Sequence, residues 1–314
     1  MQVAVFGAGT MGHALALVFA LGGHTVRLTD SDPTTLARAP ALMRTALDTL
    51  LEAGEAEGWT SDRLATAVTL HPTVGETLQG AELVVEAIIE QPDAKRALFA
   101  EIDKHAAPGT IIASNTSYLD IFPLVPERRK GRTLIAHWYT PPYLVDLVDI
   151  VGSPDTDPAV IAEVRDICAA MGKVPVVMKR FISGYIANRV QTAIALEVNR
   201  LVDEGYADIA DIDDAIIHGL ALRLPVLGHY AKADFTGLNL SRAVLANRTY
   251  EPPPVRGHSE TLDKLVEQGR TGVIAGRGYF DWGGRSPEEL FRERDRKLLA
   301  LKRAMREIGR MQGT

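Results

Sequence analysis

Apolar positions change their rhythm once along this chain. Up to about residue 180, short apolar and β-branched runs alternate with longer stretches in which apolar residues recur every three or four positions; beyond it only the second pattern persists. The short runs, at 3–6, 25–29, 67–70, 83–89, 110–113, 136–151 and 174–178, are expected as strands. The run 83–89 is nearly all apolar, as in a strand covered on both faces, and Glu90 and Gln91 are expected to end it. Helices are expected at 13–21, 33–52, from Pro92 through Ile102, and at 157–171, 184–204, 208–220 and 287–310. Pro33 and Pro92 fall in first turns, where a missing N–H costs nothing, and Ser31 or Asp32 can cap the former. Leu222-Arg223-Leu224-Pro225 is expected to break the 208–220 helix, Glu251-Pro252-Pro253-Pro254 to be an exposed linker, and 276–282 an irregular turn packing aromatics. Strands alternating with helices predict an α/β first domain, residues 1–180, with a doubly wound, mostly parallel sheet and an antiparallel edge. An all-α domain follows at 181–314.

The antiparallel edge comes from 136–151, where two apolar runs flank Thr140-Pro141-Pro142-Tyr143. Paired prolines suit a turn and not a strand interior. Folding the segment about Tyr143 sets position 137 opposite position 149, so His137 faces Asp149. Asp149 alternates with Val145, Leu147 and Val151, and a lone carboxylate in an apolar row needs a partner. A histidine–carboxylate pair is a general-base arrangement; it would serve equally as a bond tying a hairpin together.

The first strand runs into Gly7-Ala8-Gly9-Thr10-Met11-Gly12 and then a helix. In that context Gly7 permits the tight turn, Gly9 lets a pyrophosphate approach the backbone, and Gly12 allows close helix–strand packing, with the phosphates at the positive end of the helix. The second strand ends at Asp30, where an acid suits the ribose 2′-OH of NAD and would repel a 2′-phosphate. In open sheets of this kind ligands bind beyond the carboxyl ends of the strands, and the loops at Gly7, Glu90 and Ser114-Asn115-Thr116-Ser117 all fall at that edge.

Composition narrows the class. A net charge of −6 implies neither a nucleic-acid nor a membrane partner. Cys168 is the only cysteine, which excludes a disulfide framework and a cysteine-based zinc site and suits a reducing compartment. No apolar run is long enough to cross a membrane as a helix, and the first residues read as a strand with no secretory pattern, so a cytoplasmic protein is expected. No metal is expected. The apolar surface of a helical second domain is of the kind that often forms a homodimer interface.

Together the segments GAGTMG (7–12), VVEAIIE (84–90), ASNTS (113–117), the 136–151 hairpin, GYIANR (184–189) and GRGYFDW (276–282) resemble the 3-hydroxyacyl-CoA dehydrogenase family over nearly the whole chain. The resemblance implies a Rossmann-like first domain and NAD-dependent oxidation of a 3-hydroxy group to a ketone. It implies His137 and Asp149 as the catalytic dyad, with Asp149 where the family usually has Glu. Ser117 and Asn188 match its catalytic and substrate contacts, and Asp30, Glu90 and Lys95 join Gly7, Gly9, Thr10, Met11 and Gly12 as cofactor contacts. Thr140 stands at the substrate contact where the family has Asn. CoA-using members generally carry lysines after the second helix, whereas residues 45–62 here hold no Lys or Arg and include Glu52, Glu55, Glu57 and Asp62. The gulonate dehydrogenase branch, related to lambda-crystallin, resembles this chain in an arginine five residues before a glycine, here Arg223 and Gly228. A small free 3-hydroxy acid with its carboxylate on Arg223 is therefore favoured over a 3-hydroxyacyl-CoA such as that of fatty-acid metabolism. Two rivals stand beside it. The β-hydroxyacid dehydrogenases use a lysine in the first interdomain helix, but none occurs between Phe181 and Lys232. A non-catalytic relative is opposed by the intact Ser117, His137, acidic 149 and Asn188.

Overall fold

In the computed structural model, which describes residues 1–247, 250–255 and 257–311, the chain forms two compact units, Met1–Ala187 and Asn188–Thr314. The first is built on eight strands: β1 (Gln2–Phe6), β2 (Thr25–Thr29), β3 (Val68–Leu70), β4 (Leu83–Glu86), β5 (Ile111–Ser114), β6 (Thr133–Trp138), β7 (Leu147–Gly152) and β8 (Val174–Met178). Their order is β3-β2-β1-β4-β5-β6-β7-β8. All neighbours are parallel except β6 and β7. This is the doubly wound sheet with one antiparallel pair that the spacing predicts. The winding reverses between β1 and β4, which opens a crevice beside the loop leaving β1.

Helices α1 (Gly12–Leu21), α2 (Pro33–Glu52), α3 (Ser61–Ala67), α4 (Val74–Thr77), α5 (Pro92–His105) and α6 (Pro158–Ala170) complete this unit. Asp32 caps α2 by accepting from the amides of Thr34 and Thr35. The short α3 and α4 carry too few apolar positions to announce themselves; Thr60 and Thr73 cap them. The core on one face of the sheet gathers Phe6, Val84, Phe99, Ile102, Ile112, Ile135 and Tyr185.

Two boundaries differ from expectation. β4 stops at Glu86 and not at Ile89. The Ala87 amide still reaches the Phe6 carbonyl, but β1 has already turned away at Gly7, and the Ile88 amide bonds the Glu86 side chain instead. The helix expected from Gly184 begins at Ala187 as α7 (Ala187–Asp203). Gly184 (φ 80°) and Tyr185 (φ 50°) are left-handed, which no helix accommodates.

In the second unit α7 is followed by α8 (Ile209–Asp214), wide turns at Ala215–Leu220 and a tight one at Ala221–Arg223, then α9 (Leu224–Thr236). The expected break is thus a run of irregular turns. Pro225 lacks an amide and lies in the first turn of α9, so the incoming ladder has to change pitch before it. Then come α10 (Leu238–Ala246), α11 (Glu260–Glu267) and α12 (Pro287–Ile308), the last with a Ser286–Glu289 capping box. The 276–282 turn packs Phe280 edge-on to Trp282. Among the described residues no helix is long and apolar enough to cross a membrane.

Candidate active site

The β6–β7 register pairs His137 directly with Asp149, and Asp149 pairs with Val176 of β8 on its other side. Two ladders therefore close over the carboxylate, which is fully buried, while His137 is 3% exposed. His137 Nδ1 lies 3.5 Å from Asp149 Oδ2, an ion-pair distance. The alignment falls short of a hydrogen bond, so among the described residues Nδ1 and Asp149 Oδ1 have no hydrogen-bond partner. The hydroxyl of Tyr139 donates to that same Oδ2 at 2.6 Å. A carboxylate beside Nδ1 favours the tautomer protonated there, leaving Nε2 as the acceptor. Nε2 faces Ser117 Oγ at 3.2 Å. The imidazole is walled by the rings of Tyr139 and Tyr185, 4.6 and 4.7 Å away between centroids.

Ser117 is held by a network that begins in β4. Glu86 is fully buried in an apolar strand, and its carboxylate accepts from Lys95 Nζ at 2.6 Å and Ser114 Oγ at 2.5 Å. Lys95, 1% exposed, also lies 3.3 Å from Glu90. Glu90 Oε1 in turn accepts from the Thr116 hydroxyl (2.7 Å) and the amides of Ser117 (2.8 Å) and Tyr118 (2.9 Å). Burial pushes the Glu90 carboxyl up, but these donors and Lys95 outweigh it and hold the group below the usual carboxylate range. Asn115 Oδ1 accepts from the Trp138 amide, and the Tyr185 hydroxyl donates to the Thr116 carbonyl, so the loop is fixed from both sides.

At the crevice, Gly7 has φ 93°, and a Cβ there would lie 2.5 Å from the Ala87 carbonyl oxygen. A Cβ on Gly12 would lie 1.6 Å from the Gly7 oxygen, whereas one on Gly9 would meet nothing. The loop is thus tight where it packs on the protein and open at Gly9, which suits a backbone approached by a pyrophosphate. Asp30 accepts from the amides of Ala8 (2.6 Å) and Asp32 (2.8 Å), bracing the glycine loop against the start of α2. A cavity of about 620 Å³ lies alongside, bordered by Gly7, Gly9, Asp30, Thr35, Val74 and Ile88 among others. An acid at the end of β2 and an apolar slot next to it fit the adenosine half of NAD. Thr10, Met11, Glu90 and Lys95 do not border that cavity. Met11 instead accepts from the Thr140 hydroxyl at 3.0 Å, which joins the hairpin turn to the glycine loop. Lys95 is a buried strut between Glu86 and Glu90.

Asn188 and Arg223 belong to the helical unit. Asn188 lies in the first turn of α7, and its carbonyl accepts from the Thr192 hydroxyl. Arg223 precedes α9, is exposed, and donates from one terminal nitrogen to the Gly219 carbonyl at 2.9 Å.

Sequence reasoning missed Tyr139, Tyr185, Glu86 and Asn115. Two carried a signal. Glu86 is a lone acid in a buried run, the argument already applied to Asp149. Tyr139 shares the face of His137 by strand alternation and lies diagonal to Asp149.

Comparison with known proteins identifies the family. Residues 2–181 match the family description "3-hydroxyacyl-CoA dehydrogenase, NAD binding domain", and residues 184–282 match "3-hydroxyacyl-CoA dehydrogenase, C-terminal domain". The chain is 33% identical to the L-carnitine dehydrogenase of Streptomyces griseus, over 96% of this chain and 89% of that one. It is 31% identical to the mitochondrial hydroxyacyl-coenzyme A dehydrogenase of Rattus norvegicus, over 90% and 91%. Its fold is similar to a solved structure of 5-formyl-3-hydroxy-2-methylpyridine 4-carboxylic acid 5-dehydrogenase, described as an NAD-dependent dismutase, with a TM-score of 0.83, 27% identity and 99% of each chain covered. With both of its parts matched, the chain belongs to the 3-hydroxyacyl-CoA dehydrogenase family and is an NAD-dependent dehydrogenase acting on a CH–OH group.

Proposed function

We propose that the chain oxidises a 3-hydroxy group to a 3-keto group through a His137–Asp149 dyad, and that its substrate is a small free 3-hydroxy acid. The observation that carries the dyad is the pairing of a buried histidine with a buried carboxylate on one side and a serine hydroxyl on the other. His137 Nε2 takes the hydroxyl proton of the substrate. Asp149 orients the ring and stabilises the imidazolium as it forms. Ser117 and Asn188 hydrogen-bond the substrate oxygen, and Thr140 borders the substrate. Gly7, Gly9, Thr10, Met11, Gly12, Asp30, Glu90 and Lys95 would hold NAD, which would supply the hydride acceptor.

The free acid is supported by two features. Residues 45–62 offer no Lys or Arg to a polyphosphate, and their glutamates are of the wrong sign for one. Arg223 keeps most of its fork of donors available for a carboxylate. The name of the Streptomyces relative, for a small free hydroxy acid, points the same way. The rat relative's name favours a 3-hydroxyacyl-CoA as the second reading, at nearly equal identity. A screen of 3-hydroxybutyrate, L-carnitine and 3-hydroxybutyryl-CoA with NAD decides between them. A free acid should be turned over, and Arg223→Ala should raise its KM by roughly 10- to 100-fold, from about 1.5–3 kcal/mol of charged hydrogen bonding. Efficient turnover of 3-hydroxybutyryl-CoA, unchanged by Arg223→Ala, would overturn the assignment.

The helical unit is assigned to pairing with a second copy. Tyr230 on α9 is 84% exposed and Leu245 on α10 is 86% exposed, with Phe235, Leu238 and Val244 uncovered between them.

A further inference from the structure

We propose that Tyr139 is a positioning residue for the His137–Asp149 pair, an inference that rests on the dyad reading above. Aspartate is one methylene shorter than the glutamate that could otherwise span to the histidine, and the geometry registers the shortfall. The Asp149 carboxylate comes no closer than 3.5 Å to the His137 imidazole and is poorly aligned with it, while among the described residues its one side-chain hydrogen bond, 2.6 Å, comes from the Tyr139 hydroxyl. Both contacts use the same oxygen, Oδ2. The phenol therefore holds the carboxylate on the side of the imidazole, and it also disperses the charge that the imidazolium would feel.

Strand geometry makes the contact possible. In the antiparallel pair His137 is opposite Asp149, so Tyr139, two residues on and on the same face, is the diagonal neighbour. A diagonal neighbour is within reach only of a long side chain. The Tyr139 ring also packs edge-on against the imidazole, so one side chain fixes both members of the pair. The groups facing His137 are few: Asp149 from β7, Tyr139 from its own strand, Ser117 from the loop after β5, and Tyr185 from the segment before α7. Glu86 and Glu90 lie beyond them, and their carboxylates are taken up by Lys95, Ser114 and the 116–118 loop. Among the described residues Asp149 is thus the one charge in contact with the ring, and Tyr139 is the group that tunes it.

The sign follows. Without the phenol, a buried carboxylate loses its donor and the pair retains a proton more tightly, whichever member carries it. A charged hydrogen bond corresponds to about one pH unit or more of displacement. The test is a nuclear magnetic resonance titration of the histidine-labelled chain without substrate, with His137→Gln identifying the His137 signal. Tyr139→Phe should move the His137 midpoint upward by about one pH unit, and the acid limb of kcat/KM for the best substrate of the screen should move with it. In an Asp149→Asn background the same change should leave the midpoint in place, because the phenol acts through the carboxylate. Tyr139→Phe should also lower kcat, and adding Asp149→Glu should restore much of it, the longer acid reaching His137 unaided. A midpoint unmoved by Tyr139→Phe, or moved equally in the Asp149→Asn background, would overturn the proposal while leaving the dyad standing. Full activity of His137→Gln would remove the dyad itself, and Tyr139's role with it.

Discussion

The two units treat the same apolar pattern differently. In the first, Val3, Ala4, Val5 and Phe6 of β1 are all buried, and eight of the ten residues of α1 are buried with them. In the second, α7 has a regular apolar stripe, yet none of its residues is buried, and Val190 stands 57% exposed. Hydrophobicity is not the difference; closure is. A sheet gives each strand neighbours on both sides and helices on both faces, so the first unit completes its core alone. Helices packed a few at a time leave stripes bare, and the second unit does not bury its apolar stripes by its own helices. The polar network of the first unit depends on that closure, because Glu86, Lys95, His137 and Asp149 are all buried there.

The sharpest test of the closed unit is His137→Gln. It should lower kcat by roughly 10²–10⁴-fold, the usual worth of general acid–base catalysis, while NAD binding measured by fluorescence titration stays near wild type. A variant that stays active and merely melts earlier would make the His137–Asp149 pair a brace of the hairpin. For the open unit, if it pairs with a second copy as proposed, Leu245→Glu should shift the chain from dimer to monomer in sedimentation velocity at micromolar concentration. Each copy loses about 1.5–3 kcal/mol of burial, so the dimer weakens by about two orders of magnitude or more. A monomeric wild type would instead mean that the bare stripes are covered in some other way.

Asp30 gives the next effect in size. NAD should be preferred over NADP by ~10²-fold in kcat/KM, since a 2′-phosphate would meet a carboxylate where the 2′-OH donates to it. Asp30→Ala should narrow that ratio and also lower the melting temperature, because the amides of Ala8 and Asp32 lose their acceptor. The smallest effect concerns Glu90, whose carboxyl is held below its ordinary value in the folded chain. The unfolded chain binds that proton more readily, so the contribution is present above about pH 4.3 and is lost as pH falls through the folded value. Glu90→Gln should flatten the fall in melting temperature below about pH 4; an unchanged slope would show that the network draws nothing from that charge.

Much of the first unit was legible because its signals are local. The glycine loop, the acid ending β2 and the strand–helix alternation each follow from residues close together in the chain. The His137–Asp149 pairing was legible for a related reason: a short turn centred on Tyr143 fixes the register of its two strands, and period-two alternation fixes the face. Boundaries set by distant partners were not legible. β4 ends early because β1 turns away at Gly7, and α7 starts late because Tyr185 is drawn into the site to reach Thr116, 69 residues back in the chain. The Glu86–Lys95–Glu90–Ser117 network and the Tyr139–Asp149 bond belong to the same class. Periodicity assigns a side chain to a face, but which buried polar groups meet depends on how whole elements pack, since each unpaired group must find a partner among segments that sequence distance does not rank.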